Sequence, residues 1–143
     1  MAEYQTNSHS IYDIKYHIIW VTKYRYKVLG GKISERLREL IRQGCTARRM
    51  TILDGNIGRD HVHLLISCPP DISPSQVVQY IKGRSSKMIQ EEFPELKQKY
   101  WGQHLWARGY FCATVGSVDK ETIERYIASQ ELDEPRDNFR ITE

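Results

Sequence analysis

The chain has 143 residues and a mass of 16.8 kDa, enough for one hydrophobic core and short of the length at which chains divide into two ordinary domains. Its 21 Lys and Arg against 18 Asp and Glu give a net charge of +3 and a pI near 8.7, with 27% charged and 40% hydrophobic residues. That balance excludes an intrinsically disordered chain and permits an anionic partner without requiring one. No apolar run reaches the roughly 20 residues of a bilayer span, and Met1 to Ser10 lacks the apolar centre of a secretory signal. Cys45, Cys68 and Cys112 are odd in number and widely spaced, which fits neither a disulfide framework nor paired zinc ligands and leads us to expect a reducing, cytoplasmic setting. Nine tyrosines are the one unusual count.

In chain order, residues 1–10 read as a flexible tail. From Tyr12 the pattern is strand-like, with Tyr12, Ile14, Tyr16, Ile18 and Trp20 on one face and Asp13, Lys15, His17, Ile19 and Val21 on the other. The basic and aromatic run Lys23-Tyr24-Arg25-Tyr26-Lys27 leads to Gly30-Gly31, after which Ile33, Leu37, Leu40 and Ile41 fall at helical spacing to about Arg48. Met50 to Ile57 and Asp60 to Cys68 are two β-prone segments around Gly58-Arg59, an antiparallel hairpin. Ser73-Pro74-Ser75-Gln76 combines a serine N-cap, proline at the first helical position and a glutamine that completes a capping box. That helix carries Val77, Val78, Ile81, Met88 and Ile89 on its apolar side until Phe93-Pro94 ends it.

A turn-rich segment with Tyr100, Trp101 and Trp106 follows, then a strand from Tyr110 to Val115 and a joint at Gly116-Ser117. A last helix opens near Asp119 with Ile123, Tyr126, Ile127 and Gln130 as one stripe, and residues 131–143 form a second polar tail. The order β-α-β-β-α-β-α specifies one α+β domain over 1–143. Its fold class is a ferredoxin-like, split β-α-β antiparallel sheet with two helices on one face, plus a C-terminal helix bearing Tyr126. The face without helices is where a site would be built.

His61-Val62-His63 lies in the third strand, where a period of two puts both imidazoles on one face. Two same-face histidines can chelate a cation or stand as two solvated side chains. Tyr126 and Gln130, four residues apart, share a helical face about 6 Å apart along the axis. A tyrosine on an apolar stripe also serves as a core residue, so the pair alone leaves both readings open.

Five blocks in order decide which reading to expect: Trp20-Val21-Thr22-Lys23-Tyr24-Arg25; Gly58-Arg59-Asp60-His61-Val62-His63-Leu64-Leu65-Ile66; Pro74-Ser75 with Lys82-Gly83-Arg84-Ser85-Ser86; Leu105-Trp106-Ala107-Arg108-Gly109-Tyr110-Phe111; and Tyr126-Ile127 with Gln130. With them the chain resembles the single-tyrosine HUH transposases of small insertion sequences, the TnpA type. The resemblance implies Tyr126 as nucleophile and His61, His63 and Gln130 as ligands of a divalent cation, Mg²⁺ or Mn²⁺. It further implies single-stranded DNA with hairpins at the element ends as substrate, a 5′-phosphotyrosyl intermediate, rejoining without ATP, and a homodimer whose tyrosine helices act in trans; Gly116-Ser117 reads either as the hinge for that exchange or as an ordinary turn. The absence of a Gly-x-x-x-x-Gly-Lys-Ser/Thr loop agrees with ATP independence.

Lys23, Arg25, Lys27, Arg59, Lys82, Arg84, Lys87 and Arg108 are candidate phosphate contacts, and Tyr24, Tyr26 or Trp106 candidate stacking platforms for unpaired bases. Two alternatives stand beside this reading. One is a domesticated nuclease that cuts chromosomal repeat hairpins. The other is a non-catalytic RNA-binding module of the same element order, although Phe111 interrupts the Arg108-Gly109-Tyr110 start of that module's signature.

Overall fold

The computed structural model describes residues 5–6, 11–100, 104–114 and 120–128. Its elements are β1 (Gln5–Thr6), β2 (Ile11–Tyr12), β3 (Lys15–Val21), a 3₁₀ turn at Lys23–Arg25, α1 (Gly31–Ala47), β4 (Thr51–Ile57), β5 (His61–Ser67), α2 (Pro74–Glu92), α3 (Glu95–Lys99), β6 (Phe111–Thr114) and α4 (Lys120–Ala128). The main sheet has the order β4-β5-β3-β6 with every neighbouring pair antiparallel. This is the split β-α-β arrangement with the added C-terminal helix that the periodicity predicts, together with the short α3.

Three local features depart from the sequence reading. Gln5–Thr6 pairs with Ile11–Tyr12, so part of the expected tail is in a ladder and the main strand starts at Lys15, beyond Asp13 and Ile14. Phe93-Pro94 does end α2, but Pro94 takes a helical conformation (φ −58, ψ −23) and opens the short α3. The basic run turns at Lys23–Arg25 because Tyr24 and Arg25 adopt positive φ, 61° and 51°. Trp101, the Gly116-Ser117 joint, Gln130 and most of both expected tails lie outside the described residues.

Alternation along the central strands divides the side chains between two faces. Ile18 and Trp20 of β3 join Val62, Leu64 and Ile66 of β5 in a core with Leu37, Leu40 and Ile41 of α1 and Val77, Val78, Ile81 and Ile89 of α2. The Ser73 capping box forms as expected: Gln76 N–H donates to Ser73 Oγ at 3.2 Å and Ser73 N–H donates to the Gln76 side-chain oxygen at 2.9 Å. The two helices cross at Gly44, where a Cβ would stand 3.3 Å from the Tyr80 ring. On the opposite face Ile19 and Val21 pack with Ile127 of α4, flanked by Ala107, Phe111 and Tyr126. Thus α4 covers part of the face left open by α1 and α2.

Cys45 and Cys68 belong to the helix-covered core, and burial pushes their thiols up to about 12 and about 11. Almost no thiolate exists at pH 8, and the thiolate is the reactive form. Both should therefore resist iodoacetamide in the native protein and react once guanidinium unfolds it, as mass spectrometry of the alkylated peptides would report. Rapid native labelling of Cys45 would contradict this packing.

Candidate active site

The register of β5 on β3 places His61 opposite Val21 and His63 opposite Ile19. Directly opposed residues of an antiparallel pair point to the same face, so both histidines share the face on which Ile19, Val21, Ile127 and Tyr126 pack. Tyr126 Oη therefore belongs to a helix docked on the strand next to the histidine pair. The Tyr126 ring lies 5.2 Å from that of Phe111, between centroids, and burial holds its phenol above the usual tyrosine range. At neutral pH it is a phenol, and any attack through its oxygen requires loss of that proton.

The histidines are individually tethered. His61 is fully buried, and its Nδ1 lies 2.9 Å from Oδ1 of Asp60. The other oxygen of Asp60 accepts from Nε of Arg25 at 2.8 Å, with both side chains nearly excluded from solvent. Beneath the imidazole is Gly58, where a Cβ would come 2.2 Å from His61 Cε1. His63 is half-buried, and its Nε2 shares a hydrogen bond of 3.0 Å with Nδ1 of His17. Burial, with the neighbouring His17 second, pushes His63 down to about 4, and burial also lowers His17. Both rings are neutral at pH 7, so one donates and the other accepts.

These residues can contribute ligands to a divalent cation. Two neutral imidazoles on one face supply lone pairs, and the His61 ring has the carboxylate partner typical of metal-ligating histidines. Coordination through Nε2 of His63 requires His17 to yield that nitrogen. Among the described residues no cluster of three His, Cys, Asp or Glu side chains is placed to hold a metal. Gln130, the amide expected from the sequence as a third ligand, lies outside the described residues.

Of the nine candidate DNA contacts, three are engaged by partners within the protein. Arg25 is committed to Asp60. The Lys82 ammonium donates to the carbonyls of Ala107 and Gly109 at 2.8 and 2.9 Å, and burial lowers its pKa. Trp106 is 6% exposed; its Nε1 donates to Ser85 Oγ at 2.9 Å and its ring stands edge-on to Trp20 at 5.8 Å. Charge and aromaticity in sequence do not reveal such partners, which lie tens of residues away. Lys27, Arg59, Lys87 and Arg108 are exposed, while Lys23 and Arg84 are half-buried. Lys87 and Arg108 line one cleft of about 450 Å³ with Lys97 and His104.

The inward Trp106 makes a testable contrast. Trp106→Ala should cost about 3–5 kcal/mol in chemical denaturation. Trp106→Leu, which removes the aromatic ring, should leave the single-strand DNA affinity of the folded protein within about twofold, where loss of a stacked base would cost roughly 1–3 kcal/mol. Sequence reasoning also missed His17, Asp60 and Gly58. His17 was visible only as a polar residue on the second face of β3, and its role needs the β3–β5 register.

Residues 10–130 match the family model described as transposase IS200 like. The chain belongs to this family. As an IS200-like transposase it is 34% identical over 120 residues to the ISDra2 transposase TnpA of Deinococcus radiodurans, covering 84% of this chain and 86% of that protein. It is 35% identical over 130 residues to the transposase for insertion sequence element IS200 of Salmonella typhimurium, covering 91% of this chain and 85% of the relative. A crystallised candidate transposase of D. radiodurans R1 superposes with a TM-score of 0.82 at 31% identity, over 90% of this chain and 98% of that one. A REP-associated tyrosine transposase bound to a REP hairpin shares the fold, with a TM-score of 0.54 at 16% identity over 89% of this chain and 68% of that one. Membership of a transposase family argues against the non-catalytic RNA-binding alternative. No helix among the described residues is long and apolar enough to cross a membrane.

Proposed function

We propose that this IS200-like transposase cuts and rejoins single-stranded DNA at hairpin-marked element ends, using Tyr126 as nucleophile and His61, His63 and Gln130 as ligands of Mg²⁺ or Mn²⁺. The observation that supports this reading is that α4, which carries Tyr126, packs on Ile19 and Val21, the β3 residues directly opposite His63 and His61 on the same sheet face. In the cleavage step the phenol releases its proton to solvent and Oη attacks the scissile phosphorus. The P–O3′ bond breaks, the departing oxygen takes a proton to become a 3′-hydroxyl, and the 5′ end stays on Tyr126. A bound divalent cation would supply polarisation of the phosphate and stabilisation of the charge gathering on its oxygens. Rejoining reverses these atoms with a second 3′-hydroxyl, so the number of phosphodiesters is conserved and ATP is not consumed.

Lys23, Lys27, Arg59, Arg84, Lys87 and Arg108 are the cations left to contact the DNA backbone, and binding should weaken steeply as salt rises. The site operates within a homodimer in which α4 of one copy docks on the sheet of the other, reproducing the Ile127 contact with Ile19 and Val21. Mixing Tyr126→Phe with His61→Ala protein should then restore cleavage, because one site in each mixed dimer has both groups. No restoration after subunit exchange would place the tyrosine in cis.

The function itself is tested with an end-labelled single strand carrying a hairpin. Cleavage with Mg²⁺ or Mn²⁺, without ATP, and its loss in EDTA or on the fully duplex version is the expected result. RNA binding with no cutting of any DNA strand would overturn the proposal.

A further inference from the structure

His61 is held more tightly than coordination by two strand histidines requires. Its imidazole lies over Gly58, whose missing side chain is what makes room for the ring. Its Nδ1 meets Asp60, and Asp60 in turn meets Arg25. Arg25 reaches the carboxylate from a turn in which it and Tyr24 both have positive φ, a conformation that costs non-glycine residues stability and persists where the surroundings enforce it. Thr22 ties the same turn to the hairpin: its N–H donates to the Asp60 carbonyl at 2.9 Å and its Oγ1 to the Tyr26 carbonyl at 2.8 Å. A strained turn and a buried ion pair thus converge on one ring nitrogen.

We propose that Arg25 and Asp60 are positioning residues that act through His61, fixing its imidazole with Nδ1–H donating to Asp60 and Nε2 as the lone pair offered to a metal. The inference deepens the functional reading above and rests on it. A carboxylate takes a hydrogen bond only from the protonated nitrogen, so Asp60 selects the tautomer as well as the ring orientation. The Arg25 guanidinium keeps the carboxylate aimed, since it holds the second oxygen at 2.8 Å. Among the described residues His63 has no such carboxylate partner and meets His17 instead, so the two histidines are set up differently: one locked, one shared with a neutral ring.

The first measurement uses the unaltered, metal-free protein. Long-range ¹H–¹⁵N spectra, with His61 assigned by its loss in His61→Gln, should show the Nδ1–H tautomer; the Nε2–H tautomer would overturn the proposal. The second compares Mn²⁺ binding by electron paramagnetic resonance in wild type and the neutral double variant Arg25→Gln/Asp60→Asn, which leaves neither partner charged in the interior. Affinity should fall about 10- to 100-fold with the fold and hairpin binding retained; affinity within twofold of wild type would overturn it. If the double variant does not fold, the tautomer of His61 in the unaltered protein decides the proposal alone. A wild type that binds no Mn²⁺ at all, yet shows the Nδ1–H tautomer, would instead overturn the metal-dependent function and with it the role of Nε2 as a ligand.

Discussion

Tyr126→Phe should reduce DNA cleavage by at least about a thousandfold while leaving single-strand binding within about threefold. The substitution removes only Oη. The ring that packs against Phe111 at 5.2 Å remains, as does the neighbouring contact of Ile127 with Ile19 and Val21, so α4 keeps its seat on the sheet. Loss of activity with retained binding would therefore report chemistry at the oxygen. Denaturing gels of labelled substrate after incubation with Mg²⁺ give the cleavage rate, and filter binding gives the affinity. Cleavage persisting at near wild-type rates would remove Tyr126 from the mechanism.

The second large effect is expected at the histidines. Replacing His63 by Ala should lower divalent-dependent cleavage on the order of a hundredfold or more, because stabilisation of charge on the phosphate oxygens is lost with the ligand. His61→Ala should do the same, with an added stability cost, because His61 is fully buried and contacts Asp60. Hairpin binding should survive in both, since it depends on cations elsewhere on the surface. His17→Ala separates the shared ring from the ligand: it leaves His63 in place and removes the group 3.0 Å from its Nε2. Cleavage rates at several Mn²⁺ concentrations, fitted for each variant, would distinguish a weakened site from a lost one.

Much of the fold was legible because its signals are local. The alternation of Tyr16, Ile18 and Trp20, the Ser73 capping box and the hairpin around Gly58-Arg59 each depend on residues within one or two turns of chain, and all three form. The histidine pair was legible because a strand's period of two fixes its face. What escaped depends on partners far apart in sequence. Arg25 read as a surface cation in a basic run, and Asp60, 35 residues away, makes it a buried one. Lys82 and Trp106 likewise clamp the segment leading into β6 from α2. Much the same sorting applies to the tyrosines: Tyr100 is buried at 1% exposure against the Tyr26 ring, a packing role, whereas Tyr126 lies beside the histidine face. Length and composition could not make that distinction; register and docking do.

The measurement that bears most directly on the proposed chemistry is the identity of the residue joined to DNA. Wild-type protein incubated with a hairpin-bearing single strand and Mg²⁺ or Mn²⁺, then digested with nuclease and protease and analysed by tandem mass spectrometry, should yield the peptide containing Tyr126 with a 5′-phosphonucleotide on the phenolic oxygen, and none when EDTA is present. A covalent adduct mapped to any other residue, or cleavage of the strand with no protein-linked 5′ end, would contradict it.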